Sequence, residues 1–349
     1  MLPRSHAALA AIAAVAAIVV TVPGAARARR EARVVPRGPI DSQLNAIVGA
    51  QPDRWGVLVK RLDDGTTIYA HNPTMLLAPA SNEKVFTTAA VLDALGPSWH
   101  TRTSVFEGSE PDRDGTLDGD LVLYGRGDPN LSGRFSATGD PLEPFRALAG
   151  EVSAHGVRRI RGGIVADDSY LTGAPHGAGW AWADIQWHFG AEVSALSFND
   201  NLAAIQVMPG ATAGEPCTVI VTPNVGYLEI VNTTTTTAGG PSKIAVHGAL
   251  DAARVEISGT LALGYPGWRG EVAVHDPAGY AAAAFRTALA AAGVEVDGGV
   301  VRLQPDAQRP PELALDRLTE IAGLDSLPLS ELIKVVNRHS QNLHAELVL

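Results

Sequence analysis

Two short polar motifs lie far apart in the chain, Ser81-Asn82-Glu83-Lys84 and Ser340-Gln341-Asn342. From Ser81 to Ser340 is 259 residues (340 − 81). This separation constrains the fold more than any other feature. A site built from both motifs needs distant segments brought together, and the stretch between them exceeds one ordinary domain.

The N-terminus reads as an export signal. Arg4 and His6 give a weakly basic start, and residues 8–22 form an almost unbroken apolar run of 15. Pro23-Gly24 breaks the run, and Ala26-Arg27-Ala28 offers a small-residue cleavage site. The run is short for a membrane span, which favours cleavage near Ala28 over an uncleaved anchor. The mature chain is then expected outside the cytoplasm, periplasmic or extracytoplasmic. Removing Arg4 and Arg27 takes the net charge from −10 to −12. No basic patch suggests nucleic acid. Cys217 is the only cysteine, so no intrachain disulfide is possible and stability must come from packed cores.

Hydrophobic periodicity gives the coarse organisation. Asp41 can cap a short helix through Val48, and two alternating segments flank Asp63-Asp64-Gly65 as a hairpin. Ser81 is expected to open a helix in which Val85, Phe86, Ala89, Leu92 and Leu95 keep helical spacing, ended by Gly96-Pro97. From about 99 to 202 short strands alternate with Gly, Asp and Pro turns. Residues 203–270 are rich in Val, Ile and Thr, with strands expected at 217–222, 227–236 and 254–263. The run Thr233 to Thr237 reads as a strand edge or loop. Asp276-Pro277 should cap a helix to about Ala292, and two short helices should follow Ser330 and Leu343.

Amide acyl transfer needs a nucleophile, a base, an oxyanion site and a proton for the departing amine. Ser81 and Lys84 stand at i and i+3, so on one helix they share a face. Free N–H groups at a helix start favour developing negative charge. Lys84 can act as base only if burial or a nearby positive charge lowers its pKa. Taken singly, each motif also fits a blander reading: Ser81 as an N-cap, Lys84 as a surface lysine, Asn342 as the cap of a following helix. His339 and His344 are five apart, which fits no common zinc pair, so neither a metal nor any other cofactor is expected. Asp167 reads as a turn residue.

Four blocks in order make the pattern specific. They are Ala78-Pro79-Ala80-Ser81-Asn82-Glu83-Lys84, then Gly125-Arg126-Gly127-Asp128-Pro129-Asn130-Leu131. Gly179-Trp180-Ala181-Trp182 follows, with Ser194-Ala195-Leu196-Ser197-Phe198-Asn199-Asp200-Asn201, and last Asn337-Arg338-His339-Ser340-Gln341-Asn342-Leu343-His344-Ala345-Glu346. Together they resemble the class C low-molecular-weight penicillin-binding proteins, the D-alanyl-D-alanine carboxypeptidase/endopeptidase family. The resemblance runs from about residue 56 to Leu349. It implies a catalytic Ser81, with Lys84 as base, Ser340 as proton relay and Asn342 binding the substrate amide. It implies peptidoglycan stem peptides as substrate and β-lactam antibiotics as acylating inhibitors. It places an aspartate of the cleft at Asp167. The family's third element, Lys-Thr-Gly, is absent, because the chain stops seven residues after Asn342; the resemblance therefore implies a C-terminal truncation before it.

The implied fold is α/β, a serine β-lactamase/transpeptidase-like core, incomplete and interrupted by large mainly-β insert domains. The expected division is a signal peptide (1–28), a split core (29–98 and 321–349), an insert (99–202 and 271–320) and a nested β-rich insert (203–270). With the family's C-terminal strands absent, the 57–70 hairpin should have an uncovered apolar edge. The competing reading is a non-catalytic cell-wall-binding or regulatory protein that keeps the inserts. A serine β-lactamase is disfavoured by the 259-residue spacing.

Overall fold

The computed structural model describes residues 39–303 and 309–349, so the expected signal peptide lies outside the described residues. The chain divides into two compact units, one ending at Glu83 and one spanning Lys84–Leu349.

The first unit holds helix α1 (Pro39–Val48) and the hairpin β1 (Val57–Lys60) and β2 (Thr67–His71). The turn forms as its residues dictate. Gly65 takes a φ of 71°, Gly65 N–H donates to the Arg61 carbonyl at 3.0 Å, and Asp64 Oδ1 accepts from Thr66 N–H at 2.9 Å. Tyr69 donates its hydroxyl to Asn45 Oδ1 at 2.9 Å, tying β2 to α1. Much apolar surface stays open: Leu62 and Leu76 are each 97% exposed, and Trp55, Leu58 and Leu77 are exposed as well.

The second unit begins at Lys84, in the first turn of helix α2 (Glu83–Leu95). It continues through β3 (Arg102–Glu107), β4 (Thr116–Leu117), β5 (Leu121–Tyr124), α3 (Glu143–Ala154), β6 (Arg159–Ile160) and β7 (Ile164–Asp167). Then come β8 (Leu202–Met208), β9 (Thr218–Thr222), β10 (Glu229–Thr237), β11 (Lys243–Gly248), β12 (Arg254–Ala262) and β13 (Trp268–Ala273). The chain closes with α4 (Pro277–Ala291), β14 (Glu295–Val296), β15 (Val300–Leu303), β16 (Thr319–Asp325), α5 (Leu329–His339) and α6 (Asn342–Val348).

The central sheet has the order β15-β7-β5-β3-β16. Its first three strands are parallel, and β3 and β16 are added antiparallel. Helices α3 and α4 bury their apolar faces beside this sheet. Phe145 of α3 sits 5.2 Å from Phe198 and 5.8 Å from Phe285 of α4, ring centre to ring centre. Helix α3 was not expected. Its apolar residues Phe145, Leu148, Ala149 and Val152 are buried at helical spacing, and Pro144 sits in its first turn, where its missing N–H costs nothing. The part of the chain flanking the nested strands is therefore α/β, and "mainly β" does not describe it. The expected boundary at 321 also falls inside β16, which pairs with β3 from Thr319↔Glu107 to Asp325↔Arg102.

Between β8 and β13 the chain forms two three-stranded sheets, β13-β8-β9 and β10-β12-β11. The threonine run lies on β10, an edge strand as expected. Thr234 and Thr236 point inward and accept hydrogen bonds from Cys217 N–H at 3.2 Å and Gly210 N–H at 2.7 Å. Alternation along the strand buries every second threonine, and the hydroxyls are satisfied by backbone donors.

Candidate active site

Ser81 belongs to the first unit. It lies in a 3₁₀ turn, Ala80–Asn82, and is exposed; the α-helix starts only at Glu83. Ser81 is therefore not the α-helical N-cap the sequence suggested. Ala80, directly before it, has a φ of 46°. A left-handed alanine costs about 1–2 kcal/mol, a strain typical of functional turns.

In the second unit, helical spacing puts Lys84, Thr88 and Val91 on one face of α2. Thr88 and Val91 are buried and Lys84 is half-buried. That face meets α5, whose Leu329, Leu332 and Val336 are fully buried. Val91, Leu329, Leu332 and Val348 form one apolar cluster. Within the contact, Asn337 Nδ2 donates to Thr88 Oγ1 at 3.1 Å. Helix α5 then ends sharply, because Ser340 adopts a left-handed conformation (φ 56°, ψ 36°). Gln341 caps the next helix, its side-chain oxygen accepting from Leu343 N–H at 3.0 Å. The break redirects the chain so that Asn342, first residue of α6, turns back toward α2.

Here the two motifs meet. Lys84 Nζ donates to Asn342 Oδ1 at 2.6 Å, across 258 residues of sequence. Asn342 Nδ2 in turn donates to the Phe189 carbonyl at 2.7 Å. The amide is thus held at both ends. Burial lowers the pKa of Lys84 below the ordinary lysine value of 10.5, against an opposing pull from Glu346. Ser340, two residues before Asn342, is exposed. Asp167 is a structural residue: fully buried at the end of β7, it pairs with Arg309 at 2.5 Å and accepts from Ser169 N–H at 3.1 Å.

Two of the remaining blocks pack against each other, and one of them reaches the approach to α5. Gly125 approaches the chain so closely that a Cβ there would lie 2.4 Å from the Ala195 carbonyl, and Gly127 N–H donates to that same carbonyl at 2.7 Å. Asn130 Oδ1 accepts from Leu327 N–H at 2.7 Å and so fixes the approach to α5. Sequence patterns gave no hint of the Phe189 carbonyl, because a backbone acceptor carries no residue signature. They also missed Asp200 and His344. His344 is fully buried and its Nε2 lies 2.8 Å from Asp200 Oδ1. Burial raises the Asp200 pKa, but His344 and Arg134 outweigh it and hold the carboxyl below its usual value. Among the described residues, no group of three or more His, Cys, Asp or Glu side chains could hold a metal ion. No described helix is long and apolar enough to cross a membrane.

Residues 40–349 match the family of D-Ala-D-Ala carboxypeptidase 3 (S13). The chain belongs to the S13 family. It is similar to a D-alanyl-D-alanine carboxypeptidase of an Actinomadura species, 32% identical over 305 residues, covering 84% of this chain and 53% of that protein. It is also similar to the D-alanyl-D-alanine carboxypeptidase DacB of Haemophilus influenzae, 25% identical over 296 residues, covering 83% of this chain and 57% of that protein. The chain thus spans about half the length of the curated S13 relatives it matches. The crystal structure of penicillin binding protein 4 (dacB) from H. influenzae superposes with a TM-score of 0.68 at 24% identity, covering 84% of this chain and 61% of that one. The same protein complexed with a β-lactam superposes with a TM-score of 0.61 at 23% identity, covering 84% and 59% of the two chains. The fold is accordingly of the transpeptidase-like α/β type.

Proposed function

We propose that this chain carries the acyl-transfer residues of a serine-type DD-peptidase that hydrolyses D-Ala-D-Ala ends or D-amino-acid cross-links of peptidoglycan stem peptides. The observation that carries the reading is the 2.6 Å hydrogen bond from Lys84 to Asn342, which joins two motifs from opposite ends of the chain around a lysine whose pKa is lowered by burial. S13 membership and the carboxypeptidase names of the relatives support it.

The chemistry assigns each residue one role. Ser81 Oγ attacks the D-alanyl carbonyl and its proton passes to Lys84. The tetrahedral oxyanion is met by the Ser81 backbone N–H, for which a turn opening a helix is suited. As the C–N bond breaks, Ser340 relays a proton to the departing amine, leaving a Ser81 ester. Asn342 orients the substrate amide and keeps the Lys84 amine aimed. Water then attacks the ester, giving a proton up to Lys84, and Lys84 passes that proton to Ser81 Oγ as the ester bond breaks and the carboxylic acid leaves. The chain's own side chains handle both proton transfers, to the departing amine and from the attacking water. A β-lactam enters the same path at the first step, its ring amide being the bond that opens.

In this reading the enzyme is exported and its core carries both motifs. The α/β region around the five-stranded sheet would be one insert, and the strands between β8 and β13 a second nested within it. The test is covalent labelling of the full chain with a fluorescent penicillin, with Ser81→Ala as control. Stoichiometric labelling that vanishes in the variant is expected, together with release of D-alanine from a D-Ala-D-Ala peptide. A folded chain that takes up no label sinks the reading.

A further inference from the structure

The segment 189–201 grips helix α6 at two points. At one end the Phe189 carbonyl accepts from Asn342 Nδ2 at 2.7 Å. At the other end Asp200 Oδ1 accepts from His344 at 2.8 Å. A carboxylate only accepts, so His344 Nε2 carries the proton in this bond. The segment is closed on itself, because Asn201 Nδ2 donates to the Glu192 carbonyl at 2.8 Å and to Ser197 Oγ at 3.0 Å. The two grips therefore belong to one braced loop.

Its far end is built under strain. Asn199, Asp200 and Asn201 have φ values of 50°, 56° and 56°. Three consecutive left-handed residues are rare, and Asn and Asp are the side chains that tolerate them. The conformation points Asp200 inward, where it is 8% exposed. Arg134 binds Asp200 Oδ2 through Nε at 3.0 Å and through a terminal nitrogen at 2.5 Å. Phe135 stacks on the His344 ring with centres 6.0 Å apart. A buried carboxylate so held is a rigid anchor. Helix α6 has only seven residues, so its orientation is set by what it packs against: Val348 at its end meets Val91, Leu329 and Leu332, and His344 near its start meets Asp200.

We propose that the left-handed turn Asn199–Asn201 is the positioning element of the active site: Asp200, gripping His344, sets the angle at which α6 presents Asn342 to Lys84. His344 and Asp200 are positioning residues and touch no reacting atom. This deepens the DD-peptidase reading and rests on it for its catalytic consequence. Misplacement of a catalytic group by about 1 Å can cost on the order of 100-fold in rate.

The experiment compares His344→Leu, which removes the donor, with His344→Gln, whose amide can donate to Asp200 from nearly the same place. Two readouts are taken on the full chain. One is acylation by a fluorescent penicillin, resolved into maximal rate and half-saturating concentration. The other is the ¹⁵N–¹H signal of the Asn342 side-chain amide, assigned with Asn342→Asp. Phe285→Leu, in the core between α3 and α4, controls for simple loss of stability. The expected result is a fall of about 10-fold or more in maximal acylation rate for His344→Leu at unchanged half-saturation. The Asn342 signal shifts with it, and His344→Gln restores both. Should His344→Leu not fold, Arg134→Met loosens the same anchor from its half-exposed end and is read in the same way. The proposal is overturned if His344→Leu leaves rate and signal unchanged, or if Phe285→Leu alters them as much. If the wild-type chain takes no label at all, the DD-peptidase reading fails, while a shifted Asn342 signal in His344→Leu still upholds the positioning role and an unshifted one refutes it.

Discussion

Asp128 should make the second unit less stable as pH rises. It is 1% exposed, between a left-handed Gly127 and Pro129. Its Oδ1 accepts from Asn130 N–H at 2.8 Å, and its Oδ2 is buried with no partner among the described residues. Burial pushes its pKa from 3.8 up to about 7, with Asp325 adding to the rise and the Asn130 N–H opposing it. Between these two values the folded chain binds the proton and the unfolded chain does not. Stability is therefore fully present below the unfolded pKa and falls as pH rises to the folded one. A shift from 3.8 to about 7 corresponds to about 4 kcal/mol, of which about 3 kcal/mol lies between about pH 4.5 and pH 8. Asp128→Asn keeps the shape and the bond from Asn130 but cannot ionise. It leaves a buried N–H₂ that costs about 1–3 kcal/mol at every pH. The pH dependence, not the absolute difference, isolates the carboxyl. Urea unfolding of both chains at pH 4.5 and pH 8 should show wild type losing about 3 kcal/mol relative to Asp128→Asn. Parallel changes in the two would refute the argument that this carboxyl is desolvated.

Two further outcomes follow from the site. Penicillin acylation should rise with pH and level off below 10.5, because burial lowers the Lys84 pKa and only the neutral amine can accept the Ser81 proton; a profile still climbing at 10.5 would contradict it. Leu332→Ala should destabilise the second unit by about 2–5 kcal/mol, since Leu332 is fully buried in the cluster that seats α5 against α2; a change below about 1 kcal/mol in urea unfolding would show that the helices are held otherwise.

Local structure was legible where residue chemistry dictates it. Asp63-Asp64-Gly65 gave the hairpin, Asp276-Pro277 the start of α4, and the alternating β-branched runs gave β9, β10 and β12 to within about two residues at each end. Helix α3 was hidden because Pro144 and the neighbouring Gly and Asp residues look like turns, although the buried spacing of Phe145, Leu148, Ala149 and Val152 was there to be counted. At Ser81 a left-handed alanine precedes the serine, and no pattern of residue types announces such a backbone. The 2.6 Å meeting of Lys84 and Asn342 was implied by resemblance alone; spacing could not place side chains 258 residues apart. His344 was weighed as a metal ligand and set aside, yet its partner is a carboxylate from a distant loop, a contact that only the tertiary fold creates.

The excursion between β8 and β13 starts and finishes on a single rung of a ladder, because Leu202 and Ala273 are partners in the antiparallel pairing of those strands. Seen from the outer sheet, some seventy residues branch off and return at one rung, and Tyr227 within them packs back on Tyr280 of α4. Chain can be lengthened, shortened or exchanged beyond that rung without altering the span the outer fold must bridge, and loop-closure cost grows only slowly with length. The same base makes the branch a natural place to graft another domain or a reporter, with the β8–β13 pairing as its socket.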